Sequence, residues 1–158
     1  MNRRIQRDFG RDFALTLMAA LIVVLPRTAF AQEPQTTFAQ MSAGVAKGVI
    51  TNSEPRVMVN GRVSEGTAED IYARALVLND GTNRLVFITY DLNCLDVATP
   101  LLRQRARNEL GIDPSRLILL ATHNHNAPIQ INPDNFDYGE WLAERMLELI
   151  EEAIANER

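Results

Sequence analysis

Only two histidines occur in this chain of 158 residues, and both fall in the run His123-Asn124-His125. Imidazole is the commonest protein ligand for zinc and the side chain best suited to moving a proton near neutral pH. In extended backbone, residues two apart project from one face, so both rings can reach one bound metal ion, or one ring the ion and the other its substrate. Taken alone, His-x-His is also what a hydrogen-bonded pair in an ordered loop looks like. Asp91 ends another apolar run, where its carboxylate could orient an imidazole or hold a neighbouring loop by accepting backbone N–H bonds. The sequence has no Gly-rich phosphate loop, Cys-x-x-Cys, Gly-x-Ser-x-Gly or His-Glu-x-x-His. The letters His-Asn-His do not make an HNH nuclease, whose residues are spread over a larger ββα unit.

The elements that must position these residues are legible from period and punctuation. The run 45–50 is short, β-branched and broken by Gly48, and Asn52-Ser53-Glu54-Pro55 follows as a turn cluster. Residues 58–70, with Gly61 and Gly66, read as a long loop. Residues 71–78 and 84–90 read as two strands joined at Asn79-Asp80-Gly81, a hairpin. Leu85-Val86-Phe87-Ile88 lacks polar alternation and predicts a strand covered on both faces.

Thr99 is expected as N-cap with Pro100 at the first helical position, followed by Leu102, Ala106 and Leu110 and closed by Gly111. Asp113-Pro114-Ser115 then turns the chain into Leu117-Ile118-Leu119-Leu120, a second strand of the buried type. Strand, helix and strand within about 40 residues imply a parallel crossover. From about Asp137 a last helix places Leu142, Met146, Leu149, Ile150, Ala153 and Ile154 on one stripe, with five glutamates largely off it, a solvated face. The expected class is α/β: a mixed sheet with a parallel βαβ crossover and flanking helices, an incomplete half of a larger domain. Ligands in such sheets bind beyond the carboxyl ends of the parallel strands, where Asp91-Leu92-Asn93 and Thr122-His123-Asn124-His125 both fall.

The N-terminus has the order of an export signal. Arg3, Arg4, Arg7 and Arg11 precede an apolar run over 13–25, and Ala29-Phe30-Ala31 carries small residues where signal peptidase reads. The run is short of the roughly 20 residues that a membrane-spanning helix needs, which favours a leader at 1–31 cleaved after Ala31, over an anchor. Export to the periplasm or beyond follows. A flexible lead-in occupies 32–43, and an α/β domain 44–158.

The leader holds five Arg and two Asp, so the chain's net charge of −4 becomes −7 after cleavage. That acidity argues against nucleic acid as a partner, because such binding rests on Lys and Arg neutralising phosphates. The single cysteine, Cys94, permits no intrachain disulfide and reads as a small buried hydrophobe.

Three blocks carry a family resemblance by their order and spacing. Ala43-Gly44-Val45-Ala46-Lys47 with Ile50-Thr51, then Ile71-Tyr72-Ala73-Arg74-Ala75-Leu76-Val77-Leu78, then Ala121-Thr122-His123-Asn124-His125-Asn126-Ala127-Pro128 resemble blocks of the neutral/alkaline non-lysosomal ceramidase family. The resemblance implies a zinc-dependent hydrolase of amide bonds, in ceramide for the named members. It implies His123 as a zinc ligand and His125 as the catalytic histidine near substrate; Asp91 and Asn126, at the same edge of the sheet, are expected to touch substrate or support the site. Asn124, Asn126 and Ala127 stand where the family commonly has Thr, Ser and Gly, so local hydrogen bonding and substrate preference are expected to differ.

Family enzymes also run several hundred residues further and draw another His, a Glu and a Tyr onto zinc from regions this chain lacks. A catalytic zinc normally has three protein ligands. The chain is therefore expected to be one portion of a longer enzyme, to be completed by a second chain, or to have lost catalysis. Two other readings are an exported module that holds a lipid or small amide with its 58–70 loop, and an inactive fragment.

Overall fold

The computed structural model describes residues 40–158. The leader expected over 1–31 and most of the lead-in expected over 32–43 lie outside the described residues. Four strands form one sheet in the order β1 (Ser42–Val49), β2 (Tyr72–Asn79), β3 (Arg84–Tyr90) and β4 (Leu117–Ala121). The sheet begins at Ser42, inside the expected lead-in, because Ser42 and Ala43 pair with Asn79 and Leu78 of β2; Ala43 also exchanges two backbone hydrogen bonds of 3.1 Å with Arg158. β1–β2 and β2–β3 are antiparallel, and β3–β4 is parallel with Val86 opposite Leu117 and Tyr90 opposite Ala121. The β2–β3 hairpin closes where expected: Asp80 Oδ1 accepts from the N–H groups of Thr82 and Asn83, and Gly81 takes a φ of 88°.

α1 (Ala98–Leu110) supplies the crossover between β3 and β4, and α2 (Phe136–Ala155) closes the chain across β1 and β2 while packing on α1. Gly111 ends α1 in the left-handed conformation, as its sequence position requires. The other end is a correction. The helix starts at Ala98 after Val97, with no side-chain cap, and Thr99 lies inside it. The Thr99 hydroxyl and N–H both donate backward to the Leu95 carbonyl, at 3.0 and 2.9 Å, so the hydroxyl cannot serve the N–H groups ahead of it. Pro100 becomes the third helical residue, where the missing N–H is still one of the four without an intrahelical acceptor.

Among the described residues the sheet is covered on one face, where two were expected of β3. Gly44, Ala46, Ala75, Val77, Val86, Ile88 and Leu117 meet the helices and are buried together with Leu102, Leu142, Met146 and Ile150. On the opposite face, Leu76, Phe87 and Ile118 are half-buried, Val45 is 63% exposed and Leu120 45% exposed. The continuous apolar runs of β3 and β4 thus reflect two apolar faces, of which the described residues cover one. The glutamate side of α2 is exposed, as its stripe predicts.

Glu157 ties the chain's end to three strands. Its carboxylate accepts from Ser42 Oγ at 3.2 Å, Asn79 Nδ2 at 2.6 Å and Arg84 Nε at 2.7 Å. Burial pushes its pKa up, and the bonds from Asn79 and Arg84 outweigh that, holding it below the usual range. A carboxyl depressed in the folded state stabilises above its unfolded pKa of about 4.3, and the contribution disappears as pH falls through the folded value. Glu157→Gln is therefore expected to lower the melting temperature at pH 7 and narrow its difference from the parent below about pH 4. A gap of equal size at both pH values would show that the charge plays no part.

Candidate functional site

The parallel pair β3–β4 brings its two carboxyl-end segments together beyond the sheet. Thr122 N donates to the Tyr90 carbonyl at 3.0 Å and Asn124 N to the Leu92 carbonyl at 3.2 Å, while Asn124 Nδ2 reaches the Asp91 carbonyl at 3.3 Å. The convergence expected of Asp91-Leu92-Asn93 with the histidine segment is thus present.

The two imidazoles meet by a different local route from strand alternation. His123 has φ 64°, the one non-glycine residue with positive φ among those described. This left-handed residue stops β4, and an Asx turn follows in which Asn126 N donates to Asn124 Oδ1 at 2.8 Å. The turn folds His125 back onto His123: their ring centroids lie 4.9 Å apart at 67°, and their Nε2 atoms are 3.3 Å apart. Both side chains are exposed. His123 Nδ1 lies 3.4 Å from the Asn93 carbonyl and 3.4 Å from Asn93 Nδ2. With its proton on Nδ1, His123 donates to that carbonyl and offers Nε2 as an acceptor to His125; with its proton on Nε2, Nδ1 accepts from Asn93 Nδ2 instead. Asn93 is the supporting residue that sequence reasoning missed; it lies in the segment after β3, but a single asparagine there carries no signal of its own.

Asp91 is engaged with β2. Its Oδ2 accepts the Tyr72 N–H at 3.1 Å and its carboxylate lies 3.4 Å from the Arg74 guanidinium, so it fastens the end of β3 to β2. Among the described residues no group of three or more His, Cys, Asp or Glu side chains gathers around a common point. Cys94 is hydrogen-bonded to Asp96 Oδ2 at 3.0 Å, and burial with that contact pushes its thiol up to about 11, so it stays protonated at neutral pH.

Beside the histidines opens a cavity of about 740 Å³, walled by the 51–71 segment and by Asp91, Thr122, Asn124, Asn126 and Pro128. Its charged lining is Glu54, Glu69, Asp70 and Asp91 against one cation, Arg56. Arg56 is 6% exposed and already pairs with Glu54 at 2.8 Å and Asp137 at 2.6 Å. The Asp137 bond raises the arginine's pKa and lowers the aspartate's. The cavity's field therefore favours neutral or cationic groups over carboxylates.

The long loop is held from behind by Asn135, which is fully buried. Its Nδ2 donates to the Val57 carbonyl at 2.8 Å and the Ile129 carbonyl at 2.6 Å, and its Oδ1 accepts the Val57 N–H at 3.2 Å. Bridges of Val57 with Val63 and of Met58 with Pro128 complete the wall.

No protein-family model and no curated protein matches the sequence. Solved structures match the fold, two ceramidase structures among them. Neutral ceramidase from Pseudomonas aeruginosa aligns with a TM-score of 0.63 at 20% identity, and a ceramidase complexed with C2 aligns at 0.59 and 21%. Each alignment covers 75% of this chain and 22% of the ceramidase chain. The chain thus spans about a fifth of the length of the structures it matches, and it has the α/β fold of one segment of neutral ceramidase.

Proposed function

We propose that this chain is the N-terminal portion of a zinc-dependent hydrolase of amide bonds, ceramidase-like, exported to the periplasm or beyond after cleavage at Ala31. The observation that carries the reading is the pair of exposed imidazoles whose Nε2 atoms converge at the carboxyl ends of parallel strands, in a fold shared with neutral ceramidase. His123 is the residue that would hold the ion through Nε2, with Nδ1 braced on Asn93. Zinc bound there would supply a Lewis acid for the amide carbonyl and a water acidic enough to attack it at neutral pH. His125 then stabilises the developing oxyanion or shuttles a proton at Nε2. Asn126, at the mouth of the cavity, contacts the substrate, and Asp91 keeps β3 in register beneath. Further ligands come from outside the described residues, from more of the same polypeptide or from a second chain. The substrate is an amide-bearing lipid or small molecule whose part in the cavity bears no carboxylate.

The test is zinc content by elemental analysis of the purified exported protein, beside a His123→Ala variant, with intact mass read on the same sample. About one tightly held zinc per chain, lost in the variant, and a mass that starts at Gln32 are the expected results. Zinc absent from the parent, or held as tightly by His123→Ala, would sink the reading of His123 as a zinc ligand. The cavity favours one second reading, an exported module that holds a lipid or small amide without catalysis; ligand binding that survives both metal removal and His123→Ala would establish it.

A further inference from the structure

The two edges of the sheet are finished differently. β1 is guarded: Ala43 pairs its outward N–H and C=O with Arg158, the Val45 carbonyl accepts from Asn156 Nδ2 at 3.1 Å, and Lys47 adds an exposed charge. β4 is open. Thr122 N and Asn124 N bond the Tyr90 and Leu92 carbonyls, so strand alternation turns the N–H and C=O groups of Leu117, Leu119 and Ala121 away from β3. Among the described residues only the Leu117 carbonyl has a partner on that side, Arg103 Nη1 at 2.9 Å. Leu117-Ile118-Leu119-Leu120-Ala121 carries no charge or proline to turn another strand away. We infer that this edge is the contact between two copies of the chain, paired antiparallel about a two-fold axis at Leu119, so that the two four-stranded sheets become one.

Register, side chains and charge all select a second copy. Leu119 meets its own equivalent and Leu117 meets the partner's Ala121, residues whose free groups point outward, so each pair exchanges both backbone bonds. On the open face Ile118 lies opposite the partner's Leu120, so the row Val45, Leu76, Phe87 and Ile118 continues across the contact, and Leu120, 45% exposed, gains an apolar neighbour. β4 begins between Arg103, bonded to the Pro114 and Leu117 carbonyls, and Arg116, bonded to Asn83, while Asp113 is turned to Ser115. It ends at the cavity lined by Glu54, Glu69, Asp70 and Asp91. Antiparallel pairing sets these cations of each copy toward the acidic end of the other, whereas parallel pairing would oppose Arg116 to itself. The contact needs neither metal nor amide chemistry, so it stands apart from the function proposed above.

The experiment is sedimentation equilibrium of the purified exported chain beside Leu120→Lys and Ala121→Pro, with amide hydrogen exchange of the parent at two concentrations. Leu120→Lys puts a charge against the partner from an exposed position, and Ala121→Pro removes an N–H that β3 does not use. The parent is expected to be a dimer whose Leu119 and Ala121 amides gain protection as concentration rises. Each variant should dimerise more than about tenfold more weakly, with unchanged far-ultraviolet dichroism. A monomeric parent, or a dimer that both variants keep, would overturn the inference. So would Leu119 and Ala121 amides protected equally at both concentrations, the mark of a strand supplied by the same polypeptide. If one variant unfolds, the other carries the comparison, and the concentration dependence of the parent needs neither.

Discussion

Gly44→Val is expected to be the most damaging single substitution in the described chain, with a loss of about 4 kcal/mol or more in stability. Gly44 lies on the buried face of β1 directly under the last turn of α2, and a Cβ there would run into the Ala153 carbonyl and stand 2.9 Å from Glu157 N. Both are backbone, so no rotamer change makes room, and overpacking against backbone exceeds the usual 1 to 3 kcal/mol of overfilled cores. The helix would have to lift, breaking the 3.1 Å bond from Asn156 Nδ2 to the Val45 carbonyl and uncovering Ile150 and Ala153. Gly48 supplies the contrast: a Cβ there meets the Arg145 guanidinium and Leu149 Cδ2, side chains that can move. Thermal unfolding should put Gly44→Val at least roughly 15 °C below the parent, and Gly48→Ala much nearer to it. A valine variant melting within about 3 °C of the parent would contradict this account of the β1–α2 contact.

Asn135→Ala comes second, at about 3 kcal/mol or more. The substitution leaves the Ile129 carbonyl and the Val57 N–H without the partner that reached them, while the Val57 carbonyl loses one of its two donors and keeps the Ile129 N–H, and an unsatisfied buried polar group costs roughly 1 to 3 kcal/mol. Asn135→Asp should be worse despite its matching shape, because a carboxylate cannot donate and would face the Val57 and Ile129 carbonyls. The loss should be partly local. The Ile129 amide, bonded to the Val57 carbonyl at 3.0 Å, and the Val59 amide, bonded to the Ala127 carbonyl at 3.2 Å, should exchange with deuterium faster than the β2–β3 amides. Equal protection in parent and alanine variant, with a stability difference under about 1 kcal/mol, would remove Asn135 from its role as the clamp of the cavity wall.

The parts of this architecture that rest on local chemistry were readable from the residues. Asn79-Asp80-Gly81 specified the hairpin because the turn's hydrogen bonds come from Asp80 itself, and Gly111 marked the end of α1 because a left-handed residue was needed there. The start of α1 is not legible in the sequence because Thr99-Pro100 has the composition of a cap, whereas the hydroxyl bonds a carbonyl four residues behind it. Leu85-Val86-Phe87-Ile88 reads as a strand covered twice, since apolarity records what a face is suited to touch and not what touches it. The histidine pair was legible because it follows a strand; its left-handed turn was not, and neither were the services of Asn93 and Asn135. An asparagine clamp is defined by backbone groups from remote segments, and those meet only in the folded chain.

The conformation of His123 sets foldability and chemistry against each other at one residue. A side chain held at φ 64° carries a steric cost of roughly 1 kcal/mol or more that glycine would not. Ranked by stability, glycine therefore stands above histidine at this position; ranked by the ability to hold an ion, it stands at the bottom. Stabilising this protein by relaxing its strained backbone would begin by deleting the group on which its proposed chemistry depends.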